Sequence, residues 1–155
     1  MKSSKISVKE LGHIVLYVRD LKRSVEFYEL LLGWDRIETP SGAPIAAFTG
    51  GRTHHELLLI EVGNMGAAKP SHLQLGLYHF GLKIGDSDEE LRQALEVIRA
   101  HNVELIGATD HHVTHSLYIK DPDGNEIELY IDVPGADWKH DPSLISRPGE
   151  RLILE

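Results

Sequence analysis

The sequence contains no cysteine in its 155 residues, which excludes both a disulfide framework and a thiolate metal site. No apolar run approaches the ~20 residues that a membrane-spanning helix needs. The N-terminal residues 1–13 include basic side chains but no apolar stretch of the signal-peptide kind. We therefore expect a cytoplasmic protein that does not associate with a membrane.

Positive charge is also scarce. Sixteen lysines and arginines against 24 aspartates and glutamates give a formal net charge of −8, and the basic residues are scattered along the chain. This distribution argues against nucleic acid as a main partner. The fractions of hydrophobic (41%) and charged (26%) residues are those of a globular protein, and the length suits a single domain over residues 1–155.

The most informative feature is an internal repeat. The segment GHIVLYVRD at 12–20 resembles YHFGLKIGD at 78–86, and each reads as a short apolar strand with a histidine near its start and an aspartate seven residues after it. A helix is predicted after each aspartate. In the first repeat, Asp20 is the predicted N-cap and Gly33 the C-terminal stop.

Three strand candidates follow each predicted helix. They cover about 34–38, 44–49 and 54–62 in the first half, and about 103–107, 113–120 and 125–131 in the second. Each half therefore reads βαβββ, which predicts an α+β fold of two such modules forming a curved mixed sheet around a metal cavity. Module one spans about 10–65, module two about 75–134, and a proline-marked extended tail covers 135–155.

Polar residues on the repeated strands predict a metal site. His13 and His79 occupy matching positions, and Glu61 and Glu128 each lie on the last strand of a module. Since two-fold related modules bring equivalent positions together, we expect the histidines to face each other with the glutamates beside them. Two imidazoles, one carboxylate and open positions are typical of non-haem Fe(II) oxygenases. We expect one divalent metal on His13, His79 and Glu128; core histidines hydrogen-bonded to buried glutamates are the alternative.

The last predicted hairpin brings a phenol into this region. The turn DPDG at 121–124 favours a type I turn with a glycine bulge, which places Asp121 opposite Asn125. In that register Tyr118 is the cross-strand neighbour of Glu128. A phenol beside a metal ligand can donate a hydrogen bond to a bound oxygen. A tyrosine that only fills a half-buried sheet position is the competing interpretation.

The segment DHHVTH at 110–115 lies just before this strand and is rich in histidine. Any of its histidines, His111 among them, can titrate near neutral pH and serve as a general acid or base. Exposed loop histidines without a chemical role are the alternative.

These features together resemble a known family. The helix sequence DLKRSVEFYELLLGW at 20–34 and the ending DPDGNEIELY at 121–130, within the duplicated plan, are similar to the vicinal oxygen chelate superfamily. That superfamily contains glyoxalase I, bleomycin resistance proteins and type I extradiol dioxygenases. The resemblance covers roughly residues 10–134. GLYHFGLKI at 76–84 and LIGATDHHVTHSLYIK at 105–120 are most similar to the catechol 2,3-dioxygenase branch.

The resemblance implies specific roles. His13, His79 and Glu128 would be iron ligands, Tyr118 the active-site phenol and His111 a second-sphere group. The implied activity is extradiol cleavage of a catechol-like small molecule with O2, in a homodimer. Fe(II) is the expected metal, with Mn(II), Ni(II) and Zn(II) as alternatives.

Two other functions remain open at the level of sequence. A glyoxalase I-like isomerase would use His, Glu, His and Glu as ligands, and Glu61 lies eighteen residues before His79, as that pattern requires. In that case Glu61 would be a ligand or a proton carrier. A metal-free drug-binding resistance protein is the third reading, although such a protein has no need of charged ligands in its cavity.

Overall fold

The structure is a computed structural model, and it describes residues 6–66 and 75–154. The chain divides into two compact units, Met1–Ala67 and Ala68–Glu155, each of which contains one copy of the repeat. The expected boundaries of the modules, about 10–65 and about 75–134, each fall within one unit. Among the described helices, none is long and apolar enough to cross a membrane.

The first unit has the predicted βαβββ order. Its elements are β1 (Ile14–Val18), α1 (Leu21–Leu32), β2 (Asp35–Ile37), β3 (Ile45–Thr49) and β4 (Leu57–Glu61), followed by a 3-10 helix over Gly63–Met65. The sheet order is β1-β4-β3-β2. β1 and β4 run parallel, and the other neighbours are antiparallel. The parallel pair is possible because α1 supplies the crossover between the strands.

Helix α1 begins and ends at the predicted residues. The Asp20 carboxylate accepts a hydrogen bond from the Arg23 backbone N–H at 2.9 Å, which satisfies one of the free amides at the helix start. Gly33 ends the helix in the left-handed conformation, with φ of 57°. Val25 and Tyr28 are buried on the face that packs on the sheet.

The second unit repeats the same order and then adds a strand. Its elements are β5 (His79–Gly85), α2 (Asp88–Ala100), β6 (Leu105–Asp110), β7 (Thr114–Lys120), β8 (Glu126–Asp132), a 3-10 helix over Pro142–Ser146 and β9 (Glu150–Arg151). The sheet order is β5-β8-β7-β6-β9, with β5 and β8 parallel. Both sheets are mixed, which confirms the expected α+β fold.

The C-terminal tail, expected as an extended segment over 135–155, contains the 3-10 helix and the short strand β9. Within it, β9 pairs antiparallel with β6, joining Thr109 to Arg151 and Asp110 to Glu150. A two-residue strand is too short to produce a periodic pattern in the sequence. It forms because the edge of β6 offers unpaired backbone groups that the tail can bond.

Burial alternates along β8 and distinguishes the two faces of the second sheet. The buried residues of β8 are Ile127, Leu129 and Ile131, and they lie on the face against which α2 packs. The alternate residues, Glu126, Glu128 and Tyr130, therefore lie on the opposite face, which we call the helix-free face. Charged side chains on β8 are compatible with a packed core only because they occupy this face.

The hairpin between β7 and β8 has the predicted register. The Asp121 N–H bonds the Asn125 carbonyl at 2.9 Å, and Gly124 occupies the bulge position with φ of 83°. Tyr118 pairs directly with Glu128. The turn chemistry therefore fixes which side chains are neighbours on the helix-free face, and this prediction is confirmed.

We predict that Asp20→Ala lowers the free energy of unfolding by about 1 kcal/mol, because it removes the acceptor that caps α1. Urea unfolding followed by circular dichroism measures the change. Lys22→Ala, which removes an exposed side chain 4.0 Å from Glu26, is the matched control and should change stability by less than about 0.5 kcal/mol. Equal effects of the two substitutions would contradict the capping role.

Candidate functional site

The helix-free face of the second sheet brings together polar residues of β5, β7 and β8. His79 begins β5, and the parallel β5–β8 ladder pairs it with Glu126, while Gly81 pairs with Glu128. The His79 Nε2 atom lies 3.3 Å from Glu128 Oε2, and its Nδ1 atom lies 3.4 Å from Glu126 Oε1. One imidazole is thus placed between two carboxylates.

Hydrogen bonds from β7 fix the orientation of the Glu128 carboxylate. Its Oε1 atom accepts a hydrogen bond from the Ser116 hydroxyl at 2.6 Å and another from the Tyr118 hydroxyl at 3.1 Å. Ser116 is fully buried, so the shorter bond is shielded from water. With Oε1 held by two donors, Oε2 is the atom directed at His79.

Tyr118 extends this arrangement to His111. Its hydroxyl oxygen lies 2.7 Å from His111 Nε2, so His111, Tyr118 and Glu128 form a continuous chain of hydrogen bonds. Burial, followed by the negative charge of Glu128, raises the pKa of the Tyr118 phenol well above its usual range. The phenol therefore keeps its proton at neutral pH and can act as a hydrogen-bond donor.

In the first unit, His13 has two histidine neighbours. It lies immediately before β1, and its ring centroid is 4.5 Å from that of His55 and 5.9 Å from that of His54. The Nδ1 atoms of His54 and His55 are 2.6 Å apart. Desolvation, together with the neighbouring imidazoles of His54 and His13, lowers the pKa of His55. The three rings form a compact imidazole cluster at the start of β1 and β4.

The expected equivalence of Glu61 and Glu128 is wrong. The β1–β4 ladder pairs Glu61 with Val18, five residues after His13, whereas Glu128 pairs with Gly81, two residues after His79. Along the ladder, Glu61 therefore lies three positions further than Glu128 from the histidine of its own unit. Because side chains alternate with a period of two, a shift by an odd number of positions puts a side chain on the opposite face of the sheet.

Glu61 accordingly lies on the helix side of its sheet. It follows the buried residues Leu57 and Leu59 at alternate positions, and its Oε2 atom accepts a hydrogen bond from the Leu21 N–H at 2.7 Å. A carboxylate at this place satisfies a free amide at the start of α1 and complements the helix dipole. The true counterpart of Glu128 is Leu58, which pairs with Val15, two residues after His13.

The donor set fits a metal ion in part. Within either unit, the described residues include no group of three histidine, aspartate or glutamate side chains that could hold a metal. The second unit offers a histidine nitrogen and a carboxylate oxygen side by side, and the buried His79 Nδ1 atom has no hydrogen-bond partner among the described residues. His13 belongs to the other unit, so its participation stays a prediction.

Four neighbours of the predicted site residues were not expected from the sequence. Ser116 and Glu126 lie two positions before Tyr118 and Glu128, and the period of two along a strand is the signal that could have found them. His54 and His55 precede β4, whose parallel pairing with β1 brings the two strand starts together. That pairing is a long-range contact, which no local pattern reveals.

Comparison with known proteins agrees with this fold. The sequence pattern of the Glyoxalase/Bleomycin resistance protein/Dioxygenase superfamily matches residues 10–129, and the chain belongs to that superfamily. Members of the superfamily are mostly metalloenzymes, among them dioxygenases and lyases, and they bind divalent metals and small-molecule substrates.

Individual relatives show how varied this superfamily is. A catechol-2,3-dioxygenase of Bacillus subtilis (strain 168) is 34% identical over 131 residues, which cover 84% of this chain but only 44% of that protein. The chain thus spans less than half the length of that relative. A probable lactoylglutathione lyase of Synechocystis sp. is 29% identical over 125 residues, which cover 77% of this chain and 92% of that protein.

A solved structure supports the fold. A glyoxalase/dioxygenase from Nostoc punctiforme superposes with a TM-score of 0.65 at 23% identity, covering 83% of this chain and 99% of that one. At this level of identity the likeness concerns the arrangement of helices and strands.

We predict that Tyr118 does not ionise in the pH range near 10 where ordinary phenols do, because its pKa is raised. A raised pKa stabilises the fold below that range, and the contribution is lost as pH rises far enough to ionise the buried phenol. In a titration of phenolate absorbance up to about pH 10.5, folded Tyr118→Phe should match the parent protein.

The same comparison in urea is the control. Once unfolded, the parent should show one ionised phenol more than Tyr118→Phe out of its five tyrosines. If folded Tyr118→Phe shows one phenolate fewer than the folded parent near pH 10, Tyr118 ionises in the ordinary range and its pKa is not raised.

Proposed function

We propose that the protein is a metal-dependent extradiol-type dioxygenase that cleaves a catechol-like aromatic with O2. The observation that carries the proposal is the hydrogen-bonded chain from His111 through Tyr118 to Glu128, with His79 beside the carboxylate. This series of hydrogen bonds connects an imidazole, through a phenol, to a carboxylate that lies beside a second imidazole. The 34% sequence identity to a catechol-2,3-dioxygenase over 131 residues supports the same class of reaction.

In this proposal His79 and Glu128 hold the metal together with His13. When bound, Fe(II) supplies a redox-active Lewis acid with open positions for two adjacent substrate oxygens and for O2. Glu126 lies beside Nδ1 of His79, where a carboxylate can orient the ring for ligation through Nε2. Ser116 keeps Glu128 turned so that one oxygen remains directed at His79.

The remaining residues handle protons and orientation. The Tyr118 hydroxyl donates its hydrogen bond to Glu128 Oε1 in the structure, and in the proposal the same O–H can instead donate to a substrate oxygen and orient it. His111 Nε2, 2.7 Å from that phenol, accepts or returns a proton through it. The imidazole thereby acts as the general acid–base group without contacting the ring that is cleaved.

The position of Glu61 favours this proposal over a glyoxalase-like isomerase. An isomerase with four protein ligands needs a second carboxylate, but the counterpart of Glu128 is Leu58, and Glu61 is bonded to the start of α1. A site with one carboxylate leaves more positions for a bidentate catechol and O2. The isomerase remains the second candidate because of the similarity to lactoylglutathione lyases.

A metal-free drug-binding protein is the weakest candidate, because it gives no role to the oriented carboxylate and its two donors. Fe(II) as the native metal, a cytoplasmic location and assembly as a homodimer are further parts of the proposal. Mn(II), Ni(II) and Zn(II) are the alternative metals.

We predict that His79→Ala abolishes binding of Fe(II) and cleavage of catechol by the full chain while leaving its far-ultraviolet circular dichroism unchanged. Anaerobic reconstitution followed by metal analysis gives the occupancy, and the colour of ring-opened products gives the activity. The control is His140→Ala, which removes an exposed histidine paired only with Asp137 among the described residues. Full metal occupancy in His79→Ala would show that the assigned ligand set is wrong.

Glu61 separates the two enzyme candidates. We predict that Glu61→Gln keeps Fe(II) and ring cleavage within about twofold of the parent and loses less than about 1 kcal/mol of stability, since only the contact to the start of α1 changes. Glu128→Gln is the matched substitution and should lose metal and activity together. Loss of metal in Glu61→Gln, with isomerisation of a hemithioacetal and no catechol cleavage in the parent, would move the assignment to the isomerase.

A further inference from the structure

The C-terminal tail reaches the hairpin that carries His111. Strand β9 is bonded along β6, and the Leu152 N–H donates to the Ala108 carbonyl at 3.2 Å just beyond it. The residues before β9, Pro148 and Gly149, therefore lie against the end of β6 and the turn that follows. The contact joins two segments that are distant in the sequence, and it lies close to His111, the proposed acid–base group.

Gly149 leaves no room for a side chain between the tail and His111. A Cβ atom at position 149 would lie 2.8 Å from Thr109 Cγ2 and 3.1 Å from His111 Nδ1. The first distance is shorter than carbon atoms tolerate without a shift, and the second is tight. A side chain at position 149 would therefore force Thr109 or His111 to move, whereas glycine leaves both in place.

The ring of His111 lies between the Tyr118 hydroxyl and the space beside Gly149. Its Nε2 atom is 2.7 Å from that hydroxyl, and its Nδ1 atom would be 3.1 Å from a Cβ at position 149. At the backbone, the His111 N–H donates to the Thr114 carbonyl at 2.9 Å, which closes the turn. The ring can keep its hydrogen bond to the phenol because position 149 carries no side chain that would displace it.

The next residue adds a second attachment between the tail and the turn. His112 has a positive φ of 67°, unusual for a residue with a side chain, and its N–H donates to Asp110 Oδ1 at 2.6 Å. Its Nε2 atom lies 3.0 Å from the Pro148 carbonyl, so it donates a hydrogen bond there. The strained turn and the tail therefore stabilise each other around His111.

We propose that Gly149 is a positioning residue: because it has no side chain, the tail at Pro148–Gly149 leaves the His111 ring in the place where its Nε2 atom meets the Tyr118 hydroxyl. The inference rests on the proposed function, in which His111 exchanges protons through Tyr118. It gives the C-terminal tail a role in catalysis that does not require contact with the substrate or the metal.

The first test is spectroscopic and needs no turnover. In the full chain at a fixed neutral pH, the imidazole ¹⁵N signals of His111 are assigned by their loss in His111→Gln and compared between the parent and Gly149→Ala. We expect the His111 nitrogen signals to move in Gly149→Ala, because the new methyl group displaces the ring from Tyr118. Gly107→Ala is the matched control, since a Cβ at this β6 glycine meets no atom within 4 Å.

A second variant separates displacement of the His111 ring from disruption of the pairing between β9 and β6. Thr109→Ser removes the Cγ2 atom that a Cβ at 149 would meet at 2.8 Å, leaving the contact with His111. We expect the amide signals of β9 to move in Gly149→Ala. In the double variant Gly149→Ala/Thr109→Ser they should lie at their parental positions again, while the nitrogen signals of the His111 ring stay displaced. Parental His111 ring signals in both Gly149→Ala and the double variant would overturn the proposal.

The kinetic test asks whether Gly149 acts through His111. With catechol as the substrate and Fe(II) bound, Gly149→Ala should lower kcat about tenfold, as expected for a displaced catalytic group, with little change in KM. In a His111→Phe background the same substitution should have no further effect, because the group it positions is gone. An equal loss of kcat in both backgrounds would overturn the proposal.

The two tests also distinguish failure of this inference from failure of the proposed function. If no catechol is cleaved by the parent, the dioxygenase assignment fails, and the ¹⁵N comparison still decides whether Gly149 positions His111. If catechol is cleaved and the His111 signals do not move in Gly149→Ala, only the positioning role fails.

Discussion

The orientation of one carboxylate is the interaction on which the proposed site depends. Glu128 lies on a strand whose alternate residues form the core of the second unit, so its side chain has only the helix-free face available. Two hydroxyl groups from β7 hold one of its oxygens, and His79 lies at the other. A charged group fixed in this way loses little entropy when it binds a cation, because the protein has already ordered it.

The sequence predicts this part of the site well because local turn chemistry sets the register. The DPDG turn determines that Tyr118 faces Glu128, and no long-range information is needed. The prediction for Glu61 rests on different reasoning and is wrong, because its equivalence to Glu128 was inferred by counting residues between the repeats and not from turn chemistry. Intervals of 48 and 49 residues look nearly equal, but they include connections of different length. The strand pairing puts Glu61 three positions from the counterpart of Glu128 and therefore on the opposite face.

Other features could not be predicted because they depend on contacts distant in sequence. The imidazole cluster around His13 forms only when β4 pairs with β1. The approach of Gly149 to His111 requires a tail strand of two residues, for which no periodic signal exists. In each case the individual residues are ordinary glycines and histidines, and the structure supplies the reason for their placement.

The two modules share a fold but differ in what they offer to a metal. His79 is the first residue of β5 and His13 immediately precedes β1, whereas the position that carries Glu128 in the second module is Leu58 in the first. A leucine there removes a negative charge and a ligand while it preserves the strand. In the proposed oxygenase this asymmetry is what leaves positions for a substrate with two adjacent oxygens and for O2, since a fourth protein ligand would occupy one of them. A duplicated scaffold can thus change its chemistry through a single strand position, without altering the hydrogen-bond network that orients the remaining carboxylate.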